Sequence, residues 1–250
     1  MDDFSGKSVL VTGSTRGIGR AIAESLLQCG ATVGIHGRNA GRVAAECRSL
    51  PAGGGRVIAL DADFDDPHSG SAVVRSFVEQ CGAIDGLVNN AGGGNAVAFR
   101  GLAIDRWRQT FRLNLEAAVL ATREAYSRMR QQQRQGCAIV NVASLAAHGP
   151  GKWMGADYAA AKAGLVSVTQ SLAFEAARFG IRVNAVSPGF VETDLTASLT
   201  PQMRTGLGIP LGRIGQPCDV AQVVLFLLSM RAAYIAGQVL HVDGGLWMRG

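Results

Sequence analysis

"VTGSTRGIG", Val11 to Gly19, joins the apolar run "SVLV" to an amphipathic stretch that continues to Cys29. Gly13, Gly17 and Gly19 crowd the junction, where a chain leaving a buried strand must turn at once into a helix. Strand, glycine turn and helix in direct succession make the first half of a βαβ unit, and the rest of the chain repeats that order. "ATVGIHG" (31–37), "RVIALDAD" (56–63), "IDGLVNN" (84–90), "CAIVNVAS" (137–144), "IRVNAVSPG" (181–189) and "GQVLHVDGG" (237–245) read as further buried strands. Between them lie helical patterns over Ile18 to Cys29, Ser69 to Cys81, Ile104 to Gln133, Ala156 to Phe179 and Cys218 to Met230. Strands alternating with helices pair in parallel through right-handed crossovers. The expected class is therefore α/β, a doubly wound parallel sheet of about seven strands with helices on both faces.

No composition break or charge block divides the chain, so residues 1–250 read as one domain. "PAGGGR" (51–56) is short enough to be a helix-to-strand turn. The longest stretch without a clear period, Phe190 to Gln216, has the character of a lid or binding loop.

At 48% hydrophobic and 17% charged residues, the 250-residue chain can bury a large core. Its net charge of +5 comes from scattered arginines rather than a basic stripe, which argues against nucleic acid as a partner. Five widely spaced cysteines without Cys-x-x-Cys indicate neither a disulfide framework nor a zinc site. The four histidines lack ligand spacing, so no metal is expected. The acidic start "MDDFSGKSVL" lacks the features of a signal peptide, and no apolar run reaches membrane-spanning length. A soluble cytoplasmic protein without a membrane partner is expected.

The position of the glycine cluster also carries chemistry. Gly13, Ser14, Thr15, Arg16, Gly17, Ile18 and Gly19 sit where a helix N-terminus offers unpaired N–H groups and partial positive charge, and small residues let the backbone approach a pyrophosphate. No Gly-Lys-Ser/Thr follows, which excludes a P-loop. At the end of the second strand an acid would accept hydrogen bonds from the ribose 2′-hydroxyl of NAD. Gly37 stands there instead, with Arg38 after it and Arg16 within the glycine loop. Two guanidinium groups and no acid predict NADP(H) over NAD(H).

"YAAAK" places Tyr158 four residues ahead of Lys162, on one helical face. With few tyrosines and lysines in the chain, roughly four random arrangements in a hundred would contain such a pair, so spacing alone does not decide its role. An adjacent ammonium would favour phenolate and lower the tyrosine pKa from about 10, allowing proton exchange near neutral pH. Ser144, at a strand end, is suited to orient the same substrate oxygen.

"TGSTRGIG", "NNAG" (Asn89 to Gly92), Asn114, Ser144, "YAAAK", "SPGFVET" (Ser187 to Thr193) and "VDGG" (Val242 to Gly245) occur in an order that resembles the short-chain dehydrogenase/reductase family over nearly the whole chain. The resemblance implies a Rossmann fold and a catalytic set of Asn114, Ser144, Tyr158 and Lys162, interconverting a ketone and a secondary alcohol by hydride transfer. It further implies that Lys162 binds the nicotinamide ribose and that Asn114 holds a water linking the lysine to solvent. Cofactor contacts carried over in the same way are Asp63 and Phe64 near the adenine, Asn90, Ala91 and Gly92 under the adenosine ribose, and Pro188, Gly189, Val191 and Thr193 beside the nicotinamide amide. Asp63 could equally cap the turn before Pro67. His148, Trp153 and Met154, between Ser144 and Tyr158, would border the substrate, or belong to a surface loop.

Within the family, 3-oxoacyl-carrier-protein reductases are similar in motif pattern. They imply an acyl carrier protein as a candidate partner, docked on basic residues of which Arg128 is a match. Phe174 stands where a second basic residue is expected, which leaves sugar, polyol and cyclic-ketone substrates open, and Arg123, Arg128, Arg130 and Arg134 could be solvated helix-end cations. A dinucleotide-binding regulator without turnover is the alternative of another class; it has no chemical need for all four catalytic residues. The family also implies a homotetramer. In the Arg38→Asp variant the NADPH to NADH affinity ratio should fall by roughly tenfold or more. An unchanged ratio by fluorescence titration would make Arg38 a solvated turn residue.

Overall fold

Strands β1 (Ser8–Val11), β2 (Thr32–Gly37), β3 (Arg56–Asp61), β4 (Gly86–Asn89), β5 (Ala138–Val142), β6 (Arg182–Pro188) and β7 (Val239–Val242) pair in parallel, in the order β3-β2-β1-β4-β5-β6-β7. The computed structural model describes residues 3–51, 54–150, 154–194, 196–197 and 199–248. Because side chains alternate along a strand, the sheet separates two cores. Val9, Val11, Val33, Ile35, Val88, Val140 and Val186 point to one face, and Leu10, Ile58, Leu87, Ile139 and Val183 to the other. Helices α1 (Gly17–Gln28), α2 (Ala40–Ser49) and α8 (Pro217–Leu228) cover the first face through Ile22, Leu26, Val43, Val220 and Val224. Helices α3 (Ser69–Cys81), α5 (Ala117–Gln132) and α6 (Ala156–Ala176) cover the second through Val74, Phe77, Ala121, Met129 and Ala173.

The strand order reverses between β1 and β4, and in such sheets the crevice at the carboxyl ends of the two central strands is where ligands bind. Two close contacts fix the layers around it. A Cβ at Gly34 of β2 would lie 2.8 Å from both Leu10 Cδ1 and Phe77 Cδ2, and one at Gly70 of α3 would lie 2.2 Å from the Ala117 carbonyl oxygen. At the opposite end of the sheet, buried Arg182 donates to the carbonyls of Leu227, Leu228, Ser229 and Ala232, which satisfies the last turn of α8.

Three elements differ from the sequence reading. Residues 40–49, assigned to no element there, form α2, started by Asn39 Oδ1 accepting from Arg42 N–H at 2.9 Å. The amphipathic run from Ile104 is not one helix. It divides into α4 (Ile104–Phe111), a π-helical turn (Arg112–Glu116) and α5. Within the 190–216 loop lies a short helix, α7 (Pro201–Thr205), capped by Thr200. Among the described residues no helix is long and apolar enough to cross a membrane.

Gly70→Ala would push a methyl group into backbone, so it should remove about 1–3 kcal/mol of stability, read as a lower urea midpoint. An unchanged midpoint would show that α3 can slide away from Ala117 without penalty.

Candidate active site

The glycine loop is held on every side. Gly13 and Gly17 adopt φ of +64° and +56°, conformations that favour glycine. A Cβ at Gly13 would lie 2.8 Å from Ala91 Cα, and one at Gly19 2.4 Å from the Asn90 amide nitrogen and the Gly13 carbonyl oxygen. Asn90 Nδ2 donates to the carbonyls of Thr12 and Gly13, while Thr12 Oγ1 accepts from the N–H groups of Asn90 and Ala91. Ser14, fully buried, donates to the Val11 carbonyl and accepts from His36 N–H. Helix α1 starts at Gly17 with Arg16 as its N-cap, without a capping side chain or an acid in its first turn. Its leading N–H groups are thus free for an anion, with Ile18 and Gly19 behind them, and the Cβ-free cradle fits a pyrophosphate.

His36, which carries no motif signal, is the strut of this corner. Its Nδ1 accepts from Gly13 N–H at 3.1 Å, its Nε2–H donates to the Ala62 carbonyl at 3.1 Å, and its ring stacks on Phe64 at 4.4 Å. Burial pulls its pKa down to about 4, so the neutral tautomer joins the glycine loop to the end of β3. A Cβ at Gly37 would lie 2.8 Å from Thr15 Cγ2, so the missing side chain lets Thr15 of the glycine loop pack against the end of β2. Arg38 follows, exposed. Arg16 reaches the other way and pairs with Asp194 at 2.6 Å, so in this structure the two guanidinium groups do not share a site. Exposed Asp63 accepts from Asp65 N–H, which is the turn-capping role.

At the other end of the cleft, the side chains of Asn114, Tyr158 and Lys162, the candidate catalytic residues, are buried together. The π turn swings Asn114 inward, where its Nδ2 donates to the carbonyls of Gly93 and Thr110 and its Oδ1 accepts from Gly93 N–H. A Cβ at Gly92 would meet Asn114 Oδ1 at 2.6 Å and Lys162 Nζ at 3.2 Å, so these groups converge on the end of the β4 loop. Lys162 Nζ donates to the Val142 carbonyl at 2.8 Å and lies 5.8 Å from the Tyr158 ring centroid. Ser144 caps the turn after β5 by accepting from Ala146 N–H, and its hydroxyl is near enough to Tyr158 to favour the phenolate.

The electrostatics correct one expectation. Burial raises the Tyr158 pKa above its usual value, the Ser144 hydrogen bond opposing it, and burial pulls Lys162 down to about 8. Desolvation dominates both groups, and the opposing effect on the phenol comes from Ser144 rather than from the lysine.

Around the cleft, Pro188 is the last residue of β6, Gly189 abuts Asp243, and Val191 is buried. A Cβ at Gly17 would lie 3.2 Å from Thr193 Cγ2, so the segment after β6 folds back over α1. His148 Nε2 bonds Ser187 Oγ at 2.8 Å and its ring sits 4.5 Å from that of His241, so this histidine ties the Ser144 loop to β6 and β7. Met154 Cε comes within 3.8 Å of a Cβ at Gly94. Trp153 lies outside the described residues.

A family model described as "Enoyl-(Acyl carrier protein) reductase" matches residues 13–247, across the glycine loop, the Ser-Tyr-Lys cluster and the C-terminal strand. The chain belongs to the short-chain dehydrogenase/reductase family. It is an NAD(P)-dependent oxidoreductase acting on carbonyl and alcohol groups. The chain is 40% identical to the 3-oxoacyl-[acyl-carrier-protein] reductase of Vibrio harveyi, with 98% of this chain and 99% of that one covered. It is likewise 40% identical to the L-rhamnose 1-dehydrogenase (NAD(P)(+)) of Azotobacter vinelandii, over 97% of each. The crystal structure of a 3-oxoacyl-[acyl-carrier protein] reductase from Brucella melitensis superposes with a TM-score of 0.90 at 34% identity, covering 99% of this chain and 93% of that one.

On the outer face of the molecule, Arg128 pairs with Glu124 at 2.9 Å and Arg130 lies over the rings of Tyr126 and Phe179. Phe174 is 91% exposed.

Lys162 gives a stability test. Its folded pKa lies below the unfolded value, so between about pH 8 and 10.5 the unfolded chain binds more protons, and stability rises with pH in that window. Relative to Lys162→Met, the wild type should gain about 2–3 kcal/mol across it. A flat difference in denaturant titrations would show that the lysine is solvated.

Proposed function

We propose that the chain is an NADPH-preferring ketoreductase with Asn114, Ser144, Tyr158 and Lys162 as its catalytic set, and that its substrate is a 3-oxoacyl thioester presented by an acyl carrier protein. The observation that carries the reading is the burial of Asn114, Tyr158 and Lys162 together beside Gly92, with Ser144 at the end of the neighbouring strand. The relatives named for 3-oxoacyl reduction support the substrate class. The glycine loop, Asn90 to Gly92, Lys162 and Pro188 to Thr193 would hold the dinucleotide, with Arg38 toward the 2′-phosphate. When bound, that cofactor supplies the hydride.

Ser144 orients the carbonyl oxygen by hydrogen bonding. Tyr158 gives its phenolic proton to that oxygen as the alcohol forms, and the raised pKa keeps it in the donor form at neutral pH. Lys162, at about 8, is charged at neutral pH yet close enough to it to return a proton to the phenolate. In the reverse direction Tyr158 accepts the alcohol proton. The exposed apolar side chains of Phe174, Met230 and Tyr234 support a homotetramer, and the 190–216 loop would select the substrate.

A sugar or polyol substrate is the second reading. Phe174 in place of a base, Arg128 neutralised by Glu124, and the equally similar rhamnose dehydrogenase favour it.

Consumption of NADPH and NADH across 3-oxoacyl thioesters, ketoses, cyclic diketones and steroid ketones separates these readings. Thioester turnover with NADPH is expected, and Tyr158→Phe should lower kcat by about 100- to 10,000-fold with cofactor affinity retained. Turnover confined to sugars would remove the carrier-linked substrate, and full activity in Tyr158→Phe would remove the mechanism.

A further inference from the structure

Asp157 directly precedes Tyr158 and is only 1% exposed, a rare setting for a carboxylate. Its Oδ2 accepts from Thr110 Oγ1 at 2.8 Å and faces Arg106 Nε at 3.5 Å, the one ion pair it makes among the described residues. Arg106 continues through Nη2 to the Asn95 carbonyl, and the Thr110 carbonyl accepts from Asn114 Nδ2 at 3.0 Å. Asn114 in turn holds both backbone groups of Gly93 at 2.9 Å. The segment after β4 is therefore gripped at Gly93 and at Asn95, both times from α4 and the π turn that follows it.

Tyr158 lies along that segment. A Cβ at Gly94 would be 3.4 Å from Tyr158 Cδ2. One at Gly155, whose φ is +85°, would be 3.0 Å from Asp157 Oδ1 and 3.4 Å from the backbone of Val97. Three pieces of chain meet at this junction: residues 93–97, α4 and the first turn of α6.

We propose that Arg106 and Asp157 are positioning residues whose ion pair sets the distance between Tyr158 and residues 93–97, and with it the alignment of the phenol with the carbonyl. The inference rests on Tyr158 as proton donor. A pair that only stabilised the fold would act on melting and leave turnover unchanged. A pair that positions the donor acts on kcat, because misplacement by a fraction of an ångström disturbs proton transfer more than binding.

The test is steady-state kinetics, NADPH titration, melting and amide hydrogen exchange on the full chain. Arg106→Gln should lower kcat roughly tenfold or more while carbonyl KM and NADPH Kd stay within about twofold. Arg106→Lys should recover part of the loss. Adding Asp157→Asn to Arg106→Gln should also recover part, because no unpaired buried carboxylate remains. Arg108→Gln, which breaks the exposed pair with Asp105 on the same helix, should behave as wild type. Exchange should quicken at residues 93–97 in Arg106→Gln and not in Arg108→Gln. Unchanged kcat, equal losses in kcat and cofactor affinity, or a double variant no better than the single one would overturn the inference. If the wild type reduced no carbonyl, the functional reading would fail first. Exchange would then decide this one, unaltered protection at 93–97 overturning it.

Discussion

The approach of Gly13 to Ala91 is the constraint on which the rest of the site depends. Two loops from neighbouring parallel strands meet with no side chain between them, and Thr12 and Asn90 lock the contact from both sides. This brings the start of α1 to the centre of the sheet's carboxyl edge with its N–H groups outward. It also aims the chain after β4 toward α6, so that Gly93 reaches Asn114 and Gly92 lies beside Lys162. The proposed binding and catalytic groups thus share one backbone crossing, and a side chain on Gly13 would disturb both.

Burial then decides the electrostatics. Isolated in water, a lysine near a tyrosine would favour phenolate; enclosed with it, both groups are driven toward neutrality. The protein itself therefore holds the pair as a neutral acid beside a weakened cation. That suits donation to a carbonyl, and the opposite direction needs the phenol to be deprotonated first.

Much of this was legible in the sequence. The seven strands follow from apolar runs with clear borders, and the glycine loop, Ser144, Tyr158 and Lys162 carry position as well as identity. Helix α2 was not legible because only Val43 of its ten residues is buried, leaving too faint an apolar stripe to mark a period. His36 escaped because its partners, Gly13 and Ala62, lie 23 and 26 residues away and are backbone groups, which leave no trace in side-chain spacing. Arg16 was legible as a cation near the cofactor loop, but Asp194 comes beside it only once the segment after β6 folds back over α1. The Arg106–Asp157 pair joins helices 51 positions apart, so neither residue announced the other.

The π turn at Arg112–Glu116 has an evolutionary corollary. A π turn holds one residue more than the α-helix around it, and each residue in an α-helix advances the face by about 100°. Deleting a single residue here would straighten the helix and, in the same stroke, rotate Asn114 away from Gly93. Descendants of this chain can therefore vary the identity of Arg112 or Glu116 far more freely than they can vary the length between them. A helix interior, elsewhere judged by composition, is in this place an indel-intolerant ruler.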